Sequence, residues 1–153
     1  MKIITWNVNG IRAALRKNAL DWAVSRQPDA LCLQEVKARQ EQLNEEQSLK
    51  LPFASAWHVA QRAGYSGVTT FYKNQPDEIV TGVGDEKFDV EGRVVQTRWA
   101  GLRLFNIYFP SGTRGQERVA YKLEFYARLL ALCDALHKNG ESLILTGDFN
   151  TAH

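Results

Sequence analysis

Hydrophobic and polar positions at the start of the chain predict a strand, a helix and a second strand. Residues 2–6 form a short β-rich run, and residues 11–28 repeat apolar positions at helical spacing until a proline closes the segment. Residues 29–35 are almost continuously apolar, which is typical of a strand buried on both faces. This order predicts a βαβ unit, whose two strands run parallel.

The pattern then changes to strands with little helix between them. A polar stretch at residues 39–50 is predicted to be helical. It is followed by five strand-like runs, at residues 56–60, 68–72, 78–81, 94–99 and 102–109. Strands so close in sequence are expected to pair as antiparallel hairpins.

A long helix is predicted at residues 117–138, followed by a last buried strand at residues 142–146. The apolar face of this helix is expected to contain Val119, Leu123, Tyr126, Leu130 and Cys133, with Leu129 and Leu136 broadening it. The elements together predict an α/β (α+β) fold in which a mixed sheet is flanked by helices.

Composition narrows the class of protein without indicating its function. A chain of 153 residues, 44% of them hydrophobic, is long enough for one domain with a real core. The net charge of +2 is too small to indicate nucleic acid by itself. No apolar run is long enough to span a bilayer. Cys32 and Cys133 lie far apart among apolar neighbours, so we expect free thiols and a cytoplasmic location.

Three of the predicted strands end in polar side chains that strand formation does not require. These are Asn7, Glu35, and the pair Asp148 and Asn150. Residues i and i+2 of a strand point the same way, so the last two should project together while Phe149 turns to the core. If the strands are neighbours, all four groups converge at one edge of the sheet. Their oxygen atoms suit a hard cation, Mg²⁺ or Mn²⁺.

Each of these residues also has a purely structural interpretation. Asn and Asp at strand ends often form turns, although Glu35 is harder to explain because glutamate is depleted in strands. Tyr108 can be a core aromatic residue with a satisfied hydroxyl group. Arg118 and Lys122, at i and i+4 of the long helix, can form a solvated face or hold phosphates.

Five segments resemble exonuclease III-like apurinic/apyrimidinic endonucleases, in the order in which that family carries them. The last of them contains Gly-Asp-Phe-Asn, which the wider endonuclease/exonuclease/phosphatase superfamily shares. Leu-Gln-Glu-Val-Lys and Tyr-Phe-Pro are more specific to the DNA-repair branch. The segments are 5–12 (TWNVNGIR), 28–37 (PDALCLQEVK), 64–68 (GYSGV), 106–110 (NIYFP) and 147–153 (GDFNTAH).

The resemblance implies metal-assisted hydrolysis of DNA phosphodiesters, with incision 5′ to abasic sites and removal of nucleotides from 3′ ends. It makes Glu35 the principal ligand of Mg²⁺ or Mn²⁺, with Asn7 beside it. Asp148 would orient or deprotonate the attacking water, and Asn150 would position the water or the phosphate. Tyr108 would contact the scissile phosphate. Asp148 and Asn150 are also counted among the metal-site residues.

The resemblance also implies contacts with double-stranded DNA. Gly64 and Tyr65 would touch the DNA backbone together with the loop at residues 111–115. Arg114 and Arg118 would act as phosphate ligands. No membrane partner is expected.

Members of the family are four-layer αββα sandwiches built from two similar halves, and this sequence resembles the first half. Residues 1–153 are therefore expected to be a first half, truncated after the Gly-Asp-Phe-Asn strand. The Ser-Asp-His element of the second half is absent, and His153 does not replace it, because no Ser-Asp precedes it. We expect an isolated half to be inactive and to self-associate through an exposed sheet face.

Two other functions remain open at the level of sequence. One is a phosphoesterase of the same superfamily that acts on lipid or inositol phosphates. The other is a non-catalytic half-domain that binds metal or DNA. Cleavage of an inositol phosphate but not of an abasic duplex would favour the first.

Overall fold

The structure is a computed structural model that describes residues 1–51, 53–113 and 115–151. Within these residues it has eight strands and five α-helices. In chain order they are β1 (Ile3–Asn7), α1 (Ile11–Arg16), α2 (Asp21–Ser25), β2 (Ala30–Gln34), α3 (Glu45–Leu49), β3 (Ala54–His58), β4 (Val68–Tyr72), β5 (Glu78–Thr81), α4 (Glu86–Asp89), β6 (Val94–Trp99), β7 (Leu102–Tyr108), α5 (Gln116–Lys138) and β8 (Ser142–Asp148).

The strands form two mixed sheets of four strands each. The first sheet has the order β1-β2-β4-β3 and the second has the order β5-β6-β7-β8. The pairs β1–β2 and β7–β8 are parallel, as expected of strands joined through a helix, and the other pairs are antiparallel hairpins or neighbours. The predicted βαβ unit is confirmed. Of the antiparallel pairs expected between successive strands, β3–β4, β5–β6 and β6–β7 are confirmed, whereas β4 and β5 do not pair because they belong to different sheets.

The two sheets pack face to face and carry helices on their outer faces. Between the sheets, Ala30 and Cys32 of β2 pack against Leu104 of β7. Outside the first sheet, α1 and α2 bury apolar side chains such as Leu15 on the strands. Outside the second sheet, α5 buries side chains such as Phe125 on β7. The layers are therefore helix, sheet, sheet and helix, which confirms the predicted α/β class and sandwich.

The prediction of an uncovered sheet face is wrong. The prediction assumed one sheet whose partner sheet was missing, but β5–β8 form a second sheet that covers the inner face of the first. The reason is the apolar content of both faces of β2 and β4, whose residues are buried throughout. Among the described residues, the two sheets thus cover each other's inner faces, and the less buried positions lie on edge strands such as β5, which is exposed along its length, and β8.

Helices were predicted less well than strands. The single helix expected at residues 11–28 is divided into α1 and α2, and between them Asn18 adopts a φ of 52° that a regular helix does not allow. The stretch at 39–50 is helical only in a 3₁₀ turn at Gln40–Gln42 and in α3, which the Asn44 side chain caps. The short helix α4 was not predicted.

The buried face of α5 also differs from the predicted face. Phe125, Leu129 and Cys133 face the core, whereas Leu123 and Leu130 are 62% and 58% exposed. The helix has two apolar stripes, and the one with Phe125 packs edge-on against Phe109 of the core, with ring centroids 5.5 Å apart. None of the described helices is both long and apolar enough to cross a membrane.

Candidate active site

The carboxyl ends of four strands meet at one end of the sandwich. In the first sheet, Asn7 at the end of β1 lies in register with Gln34 of β2, and Glu35 follows directly. In the second sheet, Tyr108 at the end of β7 lies in register with Asp148 of β8. Because the sheets face each other, the two pairs of strand ends come together across the sandwich. The predicted convergence occurs, but between two sheets and not along the edge of one.

Direct hydrogen bonds link the side chains of this cluster. The Asn7 Nδ2 donates to Glu35 Oε1 (3.0 Å) and to Asp148 Oδ2 (2.7 Å), so one amide bridges the two carboxylates. The Tyr108 hydroxyl group donates to the same Glu35 Oε1 at 2.5 Å. We call these four residues, Asn7, Glu35, Tyr108 and Asp148, the polar cluster.

Asn150 lies beside the polar cluster and is held there by hydrogen bonds from its backbone N–H and its side-chain amide. Its N–H donates to Asp148 Oδ1 (3.0 Å), its Nδ2 donates to the Phe109 carbonyl (2.8 Å), and its φ is 48°. The expected projection together with Asp148 is thus produced by a turn after β8. Phe149 does not turn into the core as expected, because it is 41% exposed and stacks on Phe109 with ring centroids 4.6 Å apart.

Glu35 remains ionised because its neighbours offset the cost of its partial burial. Burial alone would raise the pKa of this carboxyl group, but hydrogen bonds from Tyr108 and Asn7, with the Lys37 ammonium group, lower the pKa below its ordinary value of 4.5. Lys37 Nζ lies 2.9 Å from Glu35 Oε2 and also contacts Asn9 Oδ1. Glu35 and Lys37 both have a φ of 51°, a conformation that costs about 1–3 kcal/mol outside glycine and is often found at functional sites.

Tyr108 is the neutral member of the polar cluster. Burial raises the pKa of its phenol, and the hydrogen bond to the Glu35 carboxylate raises it further, while the Arg93 guanidinium group acts in the opposite direction. The phenol therefore stays protonated at neutral pH and can donate a hydrogen bond.

An open cavity of about 660 Å³ lies next to the cluster. Its lining includes Glu35, Tyr108 and Asn150, and also Tyr65 and Arg118. Gly64 lines a small adjoining cleft together with Lys37 and Arg39. The structure therefore brings most of the sequence-predicted site residues to one region. The predicted phosphate ligand Arg114, and His153, lie outside the described residues.

Arg93 is a site residue that the sequence analysis missed. It is 2% exposed, and its guanidinium group donates to Glu91 Oε2 (2.6 Å), to the Tyr108 carbonyl (2.9 Å) and to the Tyr65 hydroxyl group (3.0 Å). Arg118 also pairs with Glu91, at 3.0 Å. A lone arginine at the start of a strand carries no signal that a sequence pattern could reveal, since its partners come from distant segments.

The chemistry of the donor set fits a hard divalent cation. Glu35 and Asp148 offer carboxylate oxygens that converge on the single amide of Asn7, and Mg²⁺ typically takes one or two carboxylates with several waters. The described residues contain no group of three His, Cys, Asp or Glu side chains that could hold a metal ion. Glu35 and Asp148 therefore provide two carboxylates, as few as a magnesium site with several waters uses.

Comparison with known proteins identifies the family of the chain. The model of the Endonuclease/Exonuclease/phosphatase family matches residues 4–153. The chain is 35% identical to an exodeoxyribonuclease of Bacillus subtilis over 154 residues, which cover 100% of the chain and 60% of that protein. It is 36% identical to the DNA repair nuclease APEX1 of Danio rerio over 159 residues, which cover 100% of the chain and 50% of that protein. The chain thus spans about half to three fifths of the length of these relatives.

Solved structures of similar proteins share the fold. The catalytic domain of Xenopus laevis APE2 superposes with a TM-score of 0.84 at 33% identity, over 100% of this chain and 59% of that chain. A 3′ phosphatase, NExo, from Neisseria, solved bound to a product DNA hairpin, superposes with a TM-score of 0.80 at 26% identity, over 99% of this chain and 58% of that chain. By the sequence match and the shared fold, this chain belongs to the Endonuclease/Exonuclease/phosphatase family.

Proposed function

We propose that the protein containing this chain is a Mg²⁺-dependent DNA-repair nuclease that hydrolyses phosphodiesters 5′ to abasic sites and from 3′ ends. The observation that carries the proposal is the polar cluster, in which Asn7 bridges the carboxylates of Glu35 and Asp148 beside an open cavity. The names of the relatives, an exodeoxyribonuclease and a DNA repair nuclease, support DNA as the substrate.

Glu35 would be the principal ligand of Mg²⁺, or of Mn²⁺ in its place, with Asn7 beside it and Asp148 and Asn150 nearby. A bound divalent cation would offset the charge that develops on phosphoryl oxygens and would favour ionisation of water. Glu35 is suited to this role because its lowered pKa keeps the carboxyl group ionised.

Asp148 would orient or deprotonate the attacking water, and Asn150 would position that water or the phosphate. The Asp148 carboxylate accepts from the Asn7 amide and from the Asn150 backbone, which fixes both of its oxygens. A general base needs such a fixed position, within hydrogen-bond reach of the proton that it removes. Tyr108 would donate from its protonated phenol to an oxygen of the scissile phosphate, an interaction that strengthens as charge develops there.

Double-stranded DNA would lie over the cavity wall. Arg118 and Arg93 share the single carboxylate of Glu91, so one positive charge on this wall remains uncompensated and can attract a phosphate. Gly64 and Tyr65 would contact the DNA backbone, and Arg114 would serve as a second phosphate ligand.

Incision of a duplex oligonucleotide that carries one abasic site tests the proposal. We expect cleavage with Mg²⁺, none with EDTA, and a loss of at least about 10²-fold in Asp148→Asn. Asp134→Asn, on the exposed side of α5, is the matched control and should retain full activity. Cleavage of an inositol phosphate in place of the abasic duplex would contradict the proposal and favour a phosphoesterase acting on lipid or inositol phosphates.

We further propose that the 153-residue chain is inactive alone, because it covers only 60% and 50% of the length of these two relatives. Mg²⁺-dependent incision by a chain of 17.3 kDa, checked by intact mass, would contradict this. Binding of metal or DNA without any cleavage, both by this chain and by a protein that contains it, would instead indicate a non-catalytic half-domain.

We also propose that the protein is cytoplasmic. Both cysteines are free and buried, and burial raises the pKa of the Cys32 thiol to about 12, so this thiol is unreactive. Unreactive buried thiols are typical of proteins from reducing compartments.

A further inference from the structure

Two amide side chains form a hydrogen bond in the interior of the sandwich, between the sheets. Gln34 of β2 is 1% exposed and Asn106 of β7 is 0% exposed. The Gln34 Nε2 donates to Asn106 Oδ1 at 2.7 Å, so the bond joins the first sheet to the second. A buried polar pair is costly unless it is fully hydrogen-bonded, which makes its presence among apolar neighbours informative.

The donors of this pair are saturated by partners on neighbouring strands. The Gln34 amide also donates to the Thr5 hydroxyl group on β1, at 2.9 Å. The Asn106 amide donates to the Thr69 carbonyl (2.8 Å) and the Thr70 hydroxyl group (3.2 Å), both on β4. The network therefore ties β7 to three strands of the first sheet. Hydrogen bonds have strict distances and angles, so such a network fixes relative position in a way that apolar packing does not.

The pair lies directly beneath the polar cluster. Gln34 is the residue before Glu35, and Asn106 lies two residues before Tyr108 on the same face of β7. The contact between the Tyr108 hydroxyl group and Glu35 Oε1, 2.5 Å long, also crosses from one sheet to the other. A slip of one sheet by a single residue, about 3.3 Å, would break it.

We propose that Gln34 and Asn106 are positioning residues that hold the two sheets in the register in which Tyr108 reaches Glu35 and Asn7 reaches Asp148. The effect on catalysis rests on the proposed function, whereas the effect on the register of the two sheets does not. Neither residue touches substrate; both act through the side chains that follow them in the chain.

The test compares Gln34→Met with Thr69→Val. The first variant keeps the shape of the side chain and removes the hydrogen bond from Gln34 to Asn106, one of the bonds between the sheets. The second removes a buried hydrogen bond within the first sheet, from Thr69 Oγ1 to the Ala56 carbonyl (3.0 Å). It keeps the Thr69 backbone carbonyl, which accepts from Asn106. The unfolding free energy of both variants is measured first, so that loss of stability is known separately. If Gln34→Met does not fold, Asn106→Thr replaces it, since the shorter side chain cannot reach Gln34.

The first readout is ¹⁹F NMR of the chain labelled with 3-fluorotyrosine, with the Tyr108 signal assigned by Tyr108→Phe. We expect the Tyr108 signal to shift or split in Gln34→Met and to stay unchanged in Thr69→Val. An unchanged signal in Gln34→Met, or an equal shift in both variants, would overturn the inference. This readout does not need DNA cleavage, so it distinguishes a failure of the inference from a failure of the proposed function.

The second readout is the incision kinetics of the active protein. Misplacement of a reacting group by about 1 Å can cost about 10²-fold in rate. We therefore expect kcat to fall by about that factor in Gln34→Met, with KM for the abasic duplex nearly unchanged. A Thr69→Val variant of equal stability should keep its kcat. A fall of the same size in both variants would mean that the pair only stabilises the fold.

Discussion

The Glu35 carboxylate combines three interactions that would be unusual for a side chain with a structural role only. It accepts hydrogen bonds from Tyr108 and Asn7 and forms an ion pair with Lys37. The backbone of Glu35 itself is in the left-handed region, with a φ of 51°. The three interactions cost conformational entropy, and the left-handed backbone costs strain energy. Together they hold an ionised carboxylate at the wall of a cavity. Strain of this kind is retained where position matters more than stability.

Tyr108→Phe tests the role of the phenol at the residue scale. The variant loses a hydrogen-bond donor of the kind that typically contributes about 10²–10³ in rate, so we expect kcat for abasic-site incision to fall by about that factor. Tyr121→Phe is the control, because its hydroxyl group donates to the Lys87 carbonyl, at 3.2 Å, and the described residues show no hydrogen bond from it to the polar cluster. Equal activity of Tyr108→Phe and the parent protein would remove Tyr108 from the mechanism.

The acid side of the stability profile follows from Glu35 and Glu91. Burial alone would raise the pKa of Glu91, but Arg118 and Arg93 lower it below 4.5, as the neighbours of Glu35 do for that group. A carboxyl group whose pKa is lower in the folded state than in the unfolded state stabilises the fold at any pH above its unfolded-state pKa. This stabilisation is lost as the pH falls through the folded-state pKa. We expect urea unfolding free energies to fall below about pH 4.5.

Glu91→Gln should reduce this dependence on pH. The variant is less stable at neutral pH, and its unfolding free energy falls less steeply on acidification. Glu86→Gln, on the short helix α4, provides the matched loss of one charge. A profile of Glu91→Gln as steep as that of the parent protein would contradict the assignment.

At the scale of elements, the close approach of β8 to β7 depends on one glycine. Gly147 has a φ of +132°, and a Cβ added there would lie 1.9 Å from the Ile107 carbonyl oxygen. Only glycine fits, because the neighbour is backbone and cannot move aside. This close approach occurs one residue before Asp148, and it sets the end of β8 against Tyr108.

Gly147→Ala should therefore destabilise the protein by about 3 kcal/mol or more. Gly140→Ala is the matched control: its φ is +87°, but no atom lies within 4 Å of the added Cβ, so we expect only about 1–2 kcal/mol. Urea unfolding of both variants measures the difference. Equal losses would mean that the backbone contact at Gly147 is unimportant.

At the scale of the whole molecule, the inner faces of the two sheets cover each other in the described part of the chain, so the expected open inner face is not available for self-association. Three of the exposed apolar side chains, Val119, Leu123 and Leu130, lie together on the outer stripe of α5. We predict that the 153-residue chain self-associates through this stripe. Sedimentation velocity should show a larger species that becomes monomeric in the Leu123→Glu, Leu130→Glu double variant. A compact monomer of the parent chain would contradict the prediction.

The sequence predicted individual strands well because strand formation depends on local alternation and turn residues. The bounds of β4, β5 and β6 agree with the pattern, and the strand ends that carry Asn7 and Asp148 were recognised as unusual. It did not predict which sheet each strand joins, because that depends on contacts such as Gln34 with Asn106, 72 residues apart. For the same reason Arg93 was missed: its partners are remote in sequence.

The central claim is that the polar cluster holds a divalent cation through Glu35. Titration with Mn²⁺, followed by electron paramagnetic resonance, tests it without reference to any reaction. We predict that the chain binds one Mn²⁺, that Mg²⁺ displaces it, and that Glu35→Gln weakens binding about tenfold or more, whereas Glu86→Gln does not. Equal Mn²⁺ affinity of Glu35→Gln and the parent chain would contradict the account.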